Sequence, residues 1–379
     1  MTGARAKFAC AQTPEDTATM FKTSCGCPFS HVSHEIGSNL QYLLRDEWPT
    51  KGVSTNQSLL PGRLLRRIGP PQRVEGFRGV QVDDERLAPI LGPGVPLLCL
   101  YEGTLHGEGP VWQAAHDRLL WSDVPNRRLL GWYPDGHVEV VIDGTYFING
   151  NALDAQGRLV HCEHGRRCIS RSEEKGNGET PRPIVTHYQG KRLNSPNDLT
   201  VAADGAIWFT DPTFGILMPN QGSVVAPELD HRSVYRFDVN TEELSRMADF
   251  EQPNGLRFSP DGRTLYVSDT SLSLNEIPGD QTGTKHEIIA FDVAEDWTLS
   301  NRRFFCHTDH GYPDGFLVDE RGWVWTTAAD GIHVWSPRRE RLGFVPTPAI
   351  ASNCVLGGSS GRRLFIAATQ YLLAIDLND

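Results

Sequence analysis

Six segments of this 379-residue chain open on an oxygen-bearing side chain and run directly into an apolar stretch. The leading residues are Glu108, Asn151, Asn197, Asn254, Asp314 and Asn353, spaced 43, 46, 57, 60 and 39 residues apart. Carboxylate and amide oxygens, with no obligatory thiolate or imidazole, are the donor set of a hard divalent cation, Ca²⁺ ahead of Mg²⁺ or Mn²⁺. Two carboxylates gathered in a buried place without such a counter-charge would be costly. Taken singly, an Asn or Asp beside Gly or Pro is a turn residue first. Turn chemistry does not explain why Pro-[Asn/Asp]-[Gly/Asp] recurs at 196–198, 253–255 and 313–315.

The elements that must position these groups follow from what surrounds them. Each segment continues as a strand, an Asp-Gly or Gly turn, and a second strand rich in β-branched and aromatic residues, as in Ala203-Asp-Gly-Ala-Ile-Trp-Phe-Thr-Asp211. These are hairpins. Third strands such as Arg232-Ser-Val-Tyr-Arg-Phe-Asp238 bring each unit to about four strands. A period of about 40 to 60 residues in four-stranded units predicts an all-β fold, a six-bladed β-propeller over 76–379, with Gln370–Asp376 returning to the first blade to close the ring. In such a ring, equivalent residues of the innermost strands converge on one mouth of the channel. The second strands return there with Asp123, His164, Asp211 and Asp269, read as caps. Long connections at 215–231 and 271–286 lie over the same mouth.

Composition sets the remaining bounds. With 39% apolar and 22% charged residues the chain has an ordinary globular make-up, and a formal charge of −11 argues against nucleic acid or an anionic membrane surface as partner. No apolar run reaches membrane-spanning length. Residues 1–75 lack strand alternation and are expected to be an irregular, poorly ordered extension. Their Cys25, Cys27, His31 and His34 do not have usual zinc spacing. The eight cysteines do not read as a disulfide framework, which favours a reducing, cytoplasmic setting while leaving an organelle-targeting role for the extension open. No oligomeric state is assigned.

His106-Gly-Glu-Gly-Pro-Val-Trp112, Leu120-Trp-Ser-Asp123, Lys191-Arg-Leu-Asn-Ser-Pro-Asn-Asp198, Trp208-Phe-Thr-Asp-Pro212, Gln252-Pro-Asn-Gly-Leu256 and Tyr312-Pro-Asp-Gly-Phe316 closely resemble the gluconolactonase branch of the SMP-30/gluconolactonase/LRE-like family. The resemblance covers about 75–379, in the right order. It implies a six-bladed propeller, one divalent cation in the channel (Ca²⁺ first, with Mg²⁺, Mn²⁺ and Zn²⁺ as alternatives) and hydrolysis of a small sugar lactone. Matched motif by motif, the metal ligands fall on Glu108, Asn197, Asn254 and Asp314, and the acid/base carboxylate on Asp314. Substrate contacts are expected from Asn151, Arg192, Asp198 and His164. The chain departs from the family at Ser195, where some members carry a substrate-binding Arg, and Arg192 is the nearest candidate upstream. His106-Gly107 is also less bulky than is usual.

The chemistry implied is attack of metal-activated water on the lactone carbonyl, with Asp314 as general base. No G-x-S-x-G nucleophile elbow is present. Two alternatives stand beside it: another metal-dependent esterase or phosphotriesterase on the same propeller, and a non-enzymatic propeller that serves as a binding module.

Overall fold

The computed structural model describes residues 71–173, 180–271 and 285–378, together with the backbone of the strand Leu64–Arg67. The rest of the expected extension, including Cys10, Cys25, Cys27, His31, His34 and Asn56, lies outside the described residues. So does most of the connection 271–286.

Six antiparallel blade sheets follow one another along the chain, and the polar residue of each lies within its innermost strand or, for Asn197 and Asp314, two residues before it. From the inside outwards, the first blade runs Gly107–Gln113, Arg118–Asp123, Arg128–Trp132, His137–Asp143, and the third runs Leu199–Val201, Ile207–Asp211, Arg232–Asp238, Glu243–Phe250. The other four repeat this up-and-down order. The sheets alternate in period two, so successive residues of one strand serve two different neighbours. Leu119 and Trp121 pack toward the sixth blade, whereas Leu120 packs toward the second. Likewise Trp208 faces the fourth blade while Ile207 and Phe209 face the second. Six apolar clusters result, one between each pair of neighbouring blades, and this is the core.

Ring closure differs in detail from the sequence expectation. Tyr371–Asp376 does not cross to the first blade; it remains the third strand of the sixth, and Leu98–Glu102 comes from the other end of the chain to pair outside it. The register sets Tyr371 opposite Glu102 and Ala374 opposite Leu98. Further pieces from before the ring extend three blades outward. Leu64–Arg67 pairs with His137–Asp143, Gln72–Arg73 with Leu98–Glu102, and Gln81–Val82 with Arg341–Pro346. Strand pairing therefore reaches back past residue 75.

Candidate active site at the channel mouth

The glycine that follows Glu108, Asn149, Asn254 and Asp314 accounts for much of the recurring signature. A Cβ on Gly150 would come within 2.6 Å of the Asn197 carbonyl oxygen, and one on Gly255 within 2.6 Å of the Asp314 carbonyl oxygen. Asn-Gly here is a close approach between neighbouring inner strands rather than a turn. Backbone and hydroxyl groups then tie each ring carbonyl to the blade before it. Gly150 N donates to Asn197 O (2.8 Å) and Gly315 N to Ser352 O (2.7 Å). Ser122 Oγ donates to Asn149 O (2.8 Å), Thr210 Oγ1 to Asn254 O (2.7 Å) and Ser268 Oγ to Asp314 O (2.8 Å).

These bonds place Asn149, Asn197, Asn254, Asp314 and Ser352 at equivalent positions, and the pairing of Glu108 with Ser122 adds Glu108 as the first-blade member of the ring. Four members agree with the sequence series and two do not. In the second blade the equivalent residue is Asn149, two positions before Asn151, and in the sixth it is Ser352, one before Asn353. The cause is a β-bulge. Pairing shifts register between His161 and Glu163 opposite Asn151, and between Ala351 and Asn353, with the same irregularity near Glu108 and Asn254. Bulges of this kind re-aim side chains.

Asn151 is fully occupied by protein. Its Nδ2 donates to Gly109 O (2.8 Å) and Ser122 Oγ (2.9 Å), and its Oδ1 accepts from His161 Nδ1 (2.7 Å). It latches the first two blades together. Asn149 is the reverse case: the residue is 3% exposed, and its side-chain amide takes part in no hydrogen bond within the described residues. Asn353 amide N–H reaches Glu108 Oε2 (3.4 Å), and its Oδ1 accepts from Cys354 N (2.9 Å).

The carboxylates meet at the mouth. Glu108 is 3% exposed, with His106 Nε2 at 3.5 Å from its Oε1. Burial raises the Asp314 pKa well above the usual carboxylate range, and the nearby charges of Glu108 and Asp198 raise it further. The Asn254 side chain and the Gly315 N–H bond to the Asp314 carboxylate and act in the opposite direction. Asp198 is buried as well. Burial raises its pKa, while Arg257, whose Nη1 lies 3.0 Å from its Oδ2, and the Leu199 N–H lower it. Were all three carboxylates ionised, they would outnumber the single Arg257 guanidinium by two charges, and the raised pKa values of Asp314 and Asp198 express that cost.

The strand-end acids secure the loops that deliver the ring. Asp211 accepts from the backbone N–H of Asn194 and Ser195 (both 2.8 Å), and Asp269 from those of Glu251 (3.0 Å) and Gln252 (3.2 Å). Asp123 does the same for Leu105 (3.0 Å). In the second blade this register position is held by Glu163, so His164 lies one step further on. His164 is 1% exposed, and burial pushes its pKa down to about 4. Its Nδ1 lies 3.0 Å from Gln221 O, and its Nε2 lies 3.5 Å from Asn197 Nδ2.

Arg192 and Ser195 both belong to the scaffold. The Arg192 guanidinium donates to Arg166 O (2.6 Å), and its own stretch is stapled by Arg167, which donates to Leu193 O (2.6 Å). Ser195 Oγ donates to Pro212 O (2.7 Å) and accepts from Gly215 N (3.0 Å). Asp198 is engaged by Arg257 and orients its own strand. Asn149 and Ser352 are the ring members that sequence reasoning missed, and only the position of the bulge distinguishes them from their neighbours.

Residues 106–370 match the model of the SMP-30/Gluconolactonase/LRE-like region. A gluconolactonase of Zymomonas mobilis is 28% identical over 76% of this chain and 83% of its own length. A lactonohydrolase of Aspergillus oryzae is 35% identical, over 43% of this chain and 38% of its own. The solved structure of a gluconolactonase from Xanthomonas campestris is 46% identical, covers 83% of this chain and 99% of its own, and superposes with a TM-score of 0.77. A regucalcin structure from Agrobacterium tumefaciens, at 15% identity and a TM-score of 0.58, shares the fold. The chain belongs to the SMP-30/gluconolactonase/LRE-like family and is an enzyme of its lactonase type, a carboxylic ester hydrolase.

Proposed function

We propose that this chain opens a small sugar lactone, of which gluconolactone is the first to test, with one divalent cation, Ca²⁺ before Mg²⁺, Mn²⁺ or Zn²⁺, held by Glu108, Asn197, Asn254 and Asp314. The observation that carries the reading is the approach of buried Glu108 to Asp314, whose pKa burial and the neighbouring charges of Glu108 and Asp198 raise, so that ionising these groups together calls for a counter-charge. A divalent ion supplies it, and the all-oxygen donor set suits a hard one. Within the described residues no cluster of three His, Cys, Asp or Glu offers an alternative metal site. When bound, the cation supplies a Lewis acid for the carbonyl and for the charge that develops on it.

The chain's own groups supply the rest. Asp314 is positioned to take a proton from water as the water oxygen bonds to the lactone carbonyl carbon. When the tetrahedral species collapses, the ring C–O bond breaks and the proton returns from Asp314 to the departing oxygen, leaving the open hydroxy acid. The orientation of Asp314 is fixed by the Asn254 side chain and the Gly315 N–H. Asn149, whose amide has no partner among the described residues, is the ring member left to meet a substrate oxygen.

The test is metal analysis of the purified protein together with pH-stat hydrolysis of gluconolactone, an aryl ester and a phosphotriester, before and after chelation. Lactone opening that disappears with chelator and returns with Ca²⁺ is expected, with the other two substrates slower. Unchanged turnover after complete removal of metal would refute the cation's role, and a faster phosphotriester would refute the substrate class.

A further inference from the structure

We infer that His164 is a positioning residue that turns the Asn197 amide so that its oxygen, rather than its nitrogen, faces the channel. The inference rests on the reading of Asn197 as a metal ligand. A carbonyl can only accept a hydrogen bond, so the contact with Gln221 O at 3.0 Å places the His164 proton on Nδ1. The neutral ring then presents a lone pair at Nε2, which lies 3.5 Å from Asn197 Nδ2. Only the NH₂ end of the amide is compatible with that lone pair. A flipped amide would set Oδ1 against it, two acceptors facing each other with no proton between them. With Nδ2 turned to the histidine, Oδ1 is turned away from it, toward the centre where an oxygen ligand is wanted.

The surroundings are shaped to hold this arrangement. Gly215 packs directly on the histidine: a Cβ there would fall 2.5 Å from His164 Cβ. The main-chain N–H of His164 donates to Phe147 O (3.1 Å), which fixes the base of the side chain. The loop that carries Gln221 is folded tightly enough that a Cβ on Gly222 would come within 2.1 Å of Gly215 O. In the fourth blade, Asn254 Nδ2 donates to Thr270 Oγ1 (3.2 Å). His164 and Thr270 each come directly after a strand-end acid, Glu163 or Asp269. Each of the two ring amides thus has its nitrogen in contact with the residue after the strand-end acid, through different chemistry at the same place in the blade, and the Asn254 nitrogen serves the Asp314 carboxylate as well. Partners of this kind, one shell out from a metal, typically change affinity 10- to 100-fold.

The experiment is calorimetric titration of Ca²⁺ into metal-stripped full-length protein for wild type, His164→Ala, Asn197→Asp and the double variant, with the melting temperature of each metal-free form recorded. His164→Ala is expected to weaken Ca²⁺ binding by about 10- to 100-fold in the Asn197 background. In the Asn197→Asp background the same change should cost less than about 2-fold, because a carboxylate presents an oxygen whichever way it turns. Equal losses in both backgrounds, or none in either, overturn the inference. Wild type that takes up no Ca²⁺ overturns the metal reading, and this inference with it. Where His164→Ala does not fold, His164→Leu, which has similar bulk and no acceptor, replaces it in both backgrounds.

Discussion

The two ends of the central channel are built from the same strands yet differ in almost every physical respect. At the mouth the inner strands of four blades are bulged, and the side chains gathered there are carboxylates and amides, many of them tied to neighbouring blades. At the far end the same strands run on as regular pairs and open into a cavity of about 490 Å³ lined by Val201, Leu317, Val318, Val355 and Leu356, with Arg257 among its walls. The asymmetry shows where the fold accepts cost. Desolvating three carboxylates at one end is expensive, and among the described residues the chain answers with the Arg257 guanidinium on Asp198.

Four substitutions would break or sharpen this contrast. At the mouth, Asp314→Asn should lower kcat/KM by about 1000-fold, equivalent to ~4 kcal/mol of barrier, while the melting temperature of the metal-free protein holds or rises, because burial and Glu108 already disfavour the ionised form. A loss of less than tenfold would remove Asp314 from the chemistry. Between the two ends, Arg257→Met leaves buried Asp198 without its counter-charge and should cost ~3 kcal/mol in urea unfolding.

The third concerns acid. His161 is fully buried and its pKa is pushed down to about 3, so the unfolded chain binds a proton that the folded one refuses. Stability is complete above about pH 6.5 and is lost as pH falls toward 3, at about 1.4 kcal/mol per pH unit for one proton. His161→Gln should be less stable at pH 7 and show a shallower decline on acidification; an identical slope would mean that His161 titrates normally. Last, Thr200→Val at the far end should change stability by less than about 0.5 kcal/mol and kcat/KM by less than about 2-fold. A larger effect on turnover would extend the working site through the whole channel.

What could be read from the sequence divides along the same line. The blade count, the hairpins and four of the six ring residues were legible because Pro, Gly and the apolar alternation fix both the strand and the residue that opens it. In Ile148-Asn-Gly-Asn151 two amides compete for the position and no Pro marks the register, so the bulge decides and the sequence reading fell on the wrong one. Ser352 was hidden for the same reason beside Asn353. Arg192 stands near a matching place in the sequence, but its reach is fixed by the Arg166 carbonyl, a contact 26 residues away that no local pattern encodes. His164 drew attention as the end of a second strand. Its bond to Gln221 depends on how a long connection folds back, which spacing alone does not specify.

The way the ring is fastened has a consequence for synthesis. Leu98–Glu102 is made early, yet its partner Tyr371–Asp376 leaves the ribosome about 270 residues later. Until then the sixth sheet does not exist, and an apolar strand and the flank of the first blade wait without cover. Contacts of such long range make folding slow and leave the nascent chain vulnerable to association with its own copies. A strand that gives the finished protein its durability is, during translation, a reason for it to need a chaperone.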